Sequence, residues 1–180
     1  MKELIVSIAR QSIHDGFTHT QSIDKTALVK QYPDFQNFGA TFVTLTLDGS
    51  LKGCIGSLIA YRSLLDDLIS NAKAAAFKDP RFYPLRQEEF ERVRIEVSLL
   101  GTPEPVLYES IEDLKTKITP NIDGIILQKG SRKATFLPQV WEQLQSFELF
   151  FSHLCQKAGL SATCLENHPD IWRYRVEKLK

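Results

Sequence analysis

Two glycines bracket a cysteine in Leu51-Lys-Gly-Cys-Ile-Gly-Ser-Leu58, inside an otherwise apolar run. Glycine weakens a strand interior, so a pair of them there marks a bulge or a close approach by a ligand or another backbone. Strand alternation sets Lys52, Cys54 and Gly56 on one face. Two readings of that face are open. In one, Cys54 is a small buried hydrophobe and the glycines serve a bulge. In the other, Gly56 leaves space beside a thiol whose pKa the Lys52 cation lowers, and the thiol floors a small pocket.

The surrounding pattern places this run on a hairpin. Val43, Leu45 and Leu47 alternate with Thr44 and Thr46, and Asp48-Gly49 is a strong turn signal. Residues 40–59 therefore read as two antiparallel strands, with Cys54 on the second. Ser63 with Asp66 three residues later resembles a helix N-cap. Leu65, Leu68, Ile69, Ala72, Ala75 and Ala76 form the apolar stripe behind it, and Pro80 ends the helix, since the residue before proline avoids helical geometry.

Leu4, Ile5, Ile8, Ala9 and Ile13 predict an opening helix that stops at Gly16. Residues 92–100 read as a strand with Val93, Ile95, Val97 and Leu99 on one face and Arg94, Glu96 and Ser98 on the other. Beyond Gly101, a helix capped by Ser110 is predicted over 111–117. Strands follow near 124–128 and 132–137, joined at Lys129-Gly130-Ser131. Pro138 suits the first turn of another helix. Phe147 to Ala158 forms a late helix stopped by Gly159, and Trp172, Tyr174 and Val176 mark a last strand. Short strands mixed with helices and joined by hairpins predict an α+β fold, with mostly antiparallel or mixed sheets flanked by helices.

The chain has 180 residues, enough for one domain or two closely packed lobes without covalent staples. Its 22 Lys and Arg balance 22 Asp and Glu, which removes the global charge signature of a nucleic-acid binder. Cys54, Cys155 and Cys164 form an odd set with no paired spacing. That argues against a disulfide scaffold and for a reducing compartment. With no signal-peptide pattern and no apolar run near the ~20 residues of a membrane span, the expectation is a cytoplasmic protein. His14, His19, His153 and His168 are scattered and make no ligand pair, so no metal site is expected. No cysteine cluster, phosphate loop or dinucleotide fingerprint points to a cofactor. A nucleophilic dyad of Cys54 with His153 stays open, although a histidine on an apolar helix face is more often a packed core residue.

Lys78-Asp-Pro-Arg-Phe-Tyr-Pro-Leu85 is the second unusual stretch. Its prolines fix the chain path and present Asp79 and Arg81 with little backbone freedom. They either contribute polar groups to a pocket or form a local salt bridge after a helix. Glu96 lies on the polar face of its strand. Buried, it would be a shifted acid or base; exposed, it is part of a solvated face.

Taken in order, these runs resemble a known family. Leu51-Lys-Gly-Cys-Ile-Gly56, Asp79-Pro-Arg-Phe-Tyr-Pro-Leu85, Glu96-Val-Ser-Leu99, Asn121-Ile-Asp-Gly124, Gly130 and Phe136-Leu-Pro-Gln-Val-Trp141 together resemble the AmmeMemoRadiSam system protein A (AMMECR) family. The resemblance covers nearly the whole chain and implies a single domain of two lobes over residues 1–180, with family-typical residues near a cleft between the lobes. By motif, it carries Gly53, Cys54, Gly56, Asp79, Arg81 and Glu96 into the candidate site. Asp123, Gly124, Phe136, Pro138 and Gln139 join them. The family pattern has arginine before the Gly-Cys pair. Lys52 keeps that charge but lacks the bidentate fork. The family name also implies association with a Memo-like protein and a radical S-adenosylmethionine protein, whose cluster chemistry would belong to the partner.

Two functions from different classes follow. The first is a small enzyme or enzyme subunit acting on a small polar metabolite. Cys54 and Glu96 would be its reacting groups, and Lys52, Gly53, Gly56, Asp79, Arg81, Asp123 and Gln139 would shape the substrate site. The second is a non-catalytic binding or assembly module for the same partners. A nucleic-acid or translation role is disfavoured by the balanced charge.

Overall fold

The computed structural model describes residues 2–180. The chain falls into two compact units. One runs to Leu100 and includes Glu177–Lys180, and the other spans Gly101–Val176.

The first unit contains α1 (Lys2–Thr18), α2 (Lys25–Gln31), β1 (Ala40–Leu47), β2 (Ser50–Gly56), α3 (Leu64–Phe77) and β3 (Val93–Leu100). β1 pairs antiparallel with both β2 and β3, so β2 is an edge strand. Asp48 and Gly49 take positive φ, 51° and 85°, as a tight hairpin turn matched to the strand twist requires. Val43, Leu45, Ile95 and Val97 point into a core closed by Ile5, Ile8, Ala9 and Ile13 of α1 and by Leu65, Leu68, Ala72 and Ala75 of α3. Ser63 caps α3, its hydroxyl accepting from the Asp66 amide at 3.2 Å.

The β1–β2 register shifts by one residue between Leu45 and Thr46. Leu47 faces Ser50 and Thr46 faces Leu51, but Leu45 faces Gly53, leaving Lys52 as the extra residue of a bulge. An unbroken hairpin would set Cys54 opposite the core residue Val43. With the bulge, Cys54 lies opposite Thr44 on the other face, and Gly53 turns inward instead. A Cβ on Gly53 would overlap the Ala75 carbonyl oxygen of α3, so only glycine allows that approach of helix to strand.

The second unit contains β4 (Glu104–Pro105), α4 (Ile111–Lys117), β5 (Asp123–Lys129), β6 (Arg132–Phe136), α5 (Phe147–Lys157) and β7 (Asp170–Leu179), whose last residues belong to the first unit. β7 pairs antiparallel with β4 and β5, and β5 with β6. Trp141 stacks on Phe150 with ring centroids 3.7 Å apart, in a core shared with Leu114, Ile125, Leu127 and Leu154.

Four local expectations change. Gly16 does not stop α1, which continues to Thr18. A Cβ at Gly16 would overlap the Phe77 ring, so this glycine serves helix packing. α2 has no counterpart among the expected elements, although Asp24 caps it by accepting from the Ala27 amide. Pro138 opens a short 3-10 helix, Pro138–Glu142, rather than an α-helix. Cys155 and Cys164 are joined in a disulfide, against the expectation of unpaired cysteines. Gly159, at positive φ, turns the chain after α5. The next helical turn thereby returns to α5 and brings the two Cα atoms to 5.8 Å, within bridging range.

The Gly53 contact gives a direct test. Gly53→Ala should destabilise the protein by about 1–3 kcal/mol, because the added Cβ meets the main chain of α3, which cannot yield as a side chain would. Urea unfolding measures it, and an unchanged midpoint would remove this approach as a determinant of the fold.

Candidate functional site

Cys54 is the free cysteine and is half-buried on the polar face of the first unit's sheet. Its main chain is held from the open edge of β2. The Cys54 amide donates to Asp79 Oδ2 at 2.9 Å, and an Arg81 terminal nitrogen donates to the Cys54 carbonyl at 3.1 Å. Asp79 and Arg81 are themselves paired in a fork, Nε to Oδ1 at 3.0 Å and a terminal nitrogen to Oδ2 at 2.7 Å. The Arg81 amide adds a bond to Asp79 Oδ1 at 3.1 Å, the local turn that aspartate favours. One acceptor and one donor are thus presented to an edge strand, as a neighbouring strand would present them.

This arrangement also explains the thiol's position. The Cys54 amide and carbonyl point away from β1, so Cys54 and Thr44 are a non-hydrogen-bonded pair, the class in which side chains come closer. Thr44 Oγ1 lies 3.3 Å from Cys54 Sγ. On its other side Thr44 is in register with Glu96 of β3. Cys54, Thr44 and Glu96 therefore form one row across three strands. Thr44 and Glu96 also line a cavity of about 760 Å³. Glu96 is half-buried, with the Lys180 ammonium 3.1 Å from its carboxylate.

Lys52 is committed elsewhere, which corrects its expected place as the cation at the thiol. Its ammonium lies 3.0 Å from the buried carboxylate of Glu89. The Arg86 amide and this ammonium hold Glu89 low, at about 2. The guanidinium bonded at Cys54 belongs to Arg81. Gly56 packs against β1, where a Cβ would overlap Phe42 and the Thr41 carbonyl, so this glycine serves the close approach of the two strands.

Asp123 and Gln139 belong to the second unit. The Asp123 carboxylate is buried and accepts from the Thr119 amide at 2.8 Å, and its carbonyl accepts from Trp141 Nε1 at 3.0 Å. Gly124 leaves room for the Tyr174 ring. Gln139 is exposed, while Phe136 packs edge-on to Phe150. His153 is likewise in the second unit, its ring Nδ1 2.9 Å from the Leu149 carbonyl.

The sequence reading missed Thr44 and Glu89. It also missed a buried network in which Asp67 Oδ2 accepts from the Thr41 amide and hydroxyl, both at 2.8 Å, while Oδ1 accepts from Ser57 and Arg62. Asn71 completes it by donating to Asp67 and to the Thr41 carbonyl. This network seats the segment following β2 against β1. A polar Asp67 and Asn71 on an otherwise apolar helix stripe was the available signal. Among the described residues, no group of three or more His, Cys, Asp or Glu side chains is placed to hold a metal.

The Arg81 fork, reinforced by the Cys54 and Arg81 amides, holds the Asp79 carboxyl well below the usual carboxylate range. A depressed native pKa stabilises the fold above the unfolded value, ~3.9, and that stability is lost as pH falls through the native value. Asp79→Asn should therefore lower stability at neutral pH by roughly 1–3 kcal/mol and flatten its decline below about pH 4. Thermal melting against pH checks both, and an acid limb identical to wild type would refute the clamp.

Comparison with known proteins agrees with this architecture. A family model described as AMMECR1 matches residues 6–179. A protein of Methanothermobacter thermautotrophicus is 36% identical over 179 residues, covering 96% of this chain and 89% of its own. One from Saccharolobus solfataricus is 39% identical over 168 residues, covering 89% and 72%. The crystal structure of an uncharacterized protein from Pyrococcus horikoshii superimposes with a TM-score of 0.80 at 30% identity, covering 98% of this chain and 89% of that one. With the family model spanning nearly its full length, this chain belongs to the AMMECR1 family.

Proposed function

We propose that the polar face of the first unit's sheet is a small-molecule site and that the protein is a small enzyme or enzyme subunit built around Cys54. The observation that carries this reading is the Cys54–Thr44–Glu96 row. A half-buried thiol, a hydroxyl at 3.3 Å and a carboxylate on the next strand share one face. A thiol is a nucleophile or proton carrier, and a carboxylate accepts or returns a proton. Asp79 and Arg81 act by positioning, since they fix the main chain from which the thiol projects. A main chain held rigid in this way keeps a reacting atom in place.

The reading includes a small polar metabolite as substrate and work alongside Memo-like and radical S-adenosylmethionine partners, in the cytoplasm. No helix among the described residues is long and apolar enough to cross a membrane. A closed Cys155–Cys164 bridge is compatible with the cytoplasm in cells whose intracellular proteins carry disulfides, as those of hyperthermophiles do. A second reading, a non-catalytic assembly module, is favoured by the exposed apolar side chains Leu58, Ile59 and Tyr61 directly after β2.

Alkylation of the native protein, resolved by peptide mass spectrometry, separates the two. Cys54 should react while folded, and Thr44→Val should change its rate roughly several-fold by removing the hydroxyl at the sulfur. If Cys54 reacts only after unfolding, the thiol is packing and the assembly reading takes its place.

A further inference from the structure

The cavity beside the Cys54 row has a charge pattern that its own ion pairs do not balance. Arg10, Arg92, Arg94 and Lys180 line it against Glu91 and Glu96, and with Asp48 counted as the partner of Arg92 the side chains keep an excess of one positive charge. Arg92 is paired with Asp48 at 3.0 Å and Lys180 with Glu96 at 3.1 Å. Among the described residues, neither Arg10 nor Arg94 has a carboxylate within ion-pairing distance.

Arg10 is the more telling of the two. Its guanidinium is half-buried and rests over the Phe90 ring, 5.2 Å from the centroid. Its terminal nitrogens donate to the Phe90 and Val93 carbonyls at 3.3 and 2.8 Å. Those partners are neutral. They fix the group without cancelling its charge, and three of its five N–H donors are left. A partly desolvated cation held rigid and lacking a counterion is a preorganised anion receptor. Arg94 projects from β3 in register with Thr46, one row along the face from Glu96 and Thr44. Two hydroxyls therefore flank the sheet side of the same cavity.

We propose that this cavity binds the oxyanion group of a small metabolite, a carboxylate or a phosphoryl group, with Arg10 and Arg94 as its cationic contacts and Thr44 and Thr46 donating from the sheet. The inference rests on the reading of this face as a ligand site and deepens it by naming the ligand class. A ligand whose oxyanion is held at Thr44 lies beside Cys54, whose sulfur is 3.3 Å from the Thr44 hydroxyl.

The test is titration of the full chain with inorganic phosphate and, separately, with succinate. Heat and backbone amide shifts are followed at low and at physiological ionic strength. Saturable binding that moves the Thr44, Thr46 and Arg94 amides is expected. The preferred probe tells a phosphoryl from a carboxylate ligand. Arg94→Gln should weaken binding roughly 10–100-fold, as for loss of a charge-assisted contact, with an unchanged melting temperature because Arg94 is exposed. Arg10→Lys, which keeps the charge but loses the fork, should weaken it as well. Binding that never saturates, or that both variants leave unchanged, overturns the proposal. Repeating the titration in Cys54→Ser separates the two readings. Anion binding should persist there, and a native-state thiol that reacts without any anion binding overturns this inference while leaving the Cys54 site standing.

Discussion

A single extra residue in β2 decides what the Gly-Cys-Ile-Gly run is for. Side chains alternate along a strand, so a one-residue slip exchanges its faces. The bulge at Lys52 moves Gly53 to the core side and Cys54 to the polar side. Both consequences serve neighbouring structure. Gly53 lets the α3 backbone meet the strand, and Cys54 enters the row with Thr44 and Glu96. The bulge and a functional thiol stood as alternative readings of the sequence. In the fold, the bulge is what brings the thiol to the polar face.

An edge strand that is bulged and glycine-rich is weakly held by pairing alone. Two devices secure β2. The Asp79–Arg81 fork bonds both main-chain groups of Cys54 from the open side. At the end of the strand, the buried Asp67 carboxylate gathers Thr41, Ser57, Arg62 and Asn71. Each is a charge surrounded by donors, the condition under which a buried carboxylate is tolerated. Asp79 follows the end of α3, and Asp67 lies within its first turns. One helix thus supplies, from its two ends, both supports of the strand that carries the site.

The elements most legible in the sequence are those whose signals are local. Asp48-Gly49 turns the hairpin, Ser63 and Ser110 cap their helices, Gly159 ends α5, and alternation marks β3. Gly16 misled because the same residue signals a helix stop and a close helix packing, and only the position of Phe77 distinguishes them. Lys52 misled for a related reason. Its charge was visible, but its partner Glu89 lies 37 residues away.

By itself the sequence determined the element types, the hairpin that carries Cys54, and the presence of Asp79 and Arg81 on a stiff loop. It did so because caps, turns and alternation are properties of a few consecutive residues. Tertiary structure alone decided the register of β2, the partner of each charge and the pairing of Cys155 with Cys164. Those depend on which distant backbone arrives at a given atom. Gly53 meets α3, Cys54 meets the loop after it, and Glu96 reaches the row only through Thr44 on the strand between them.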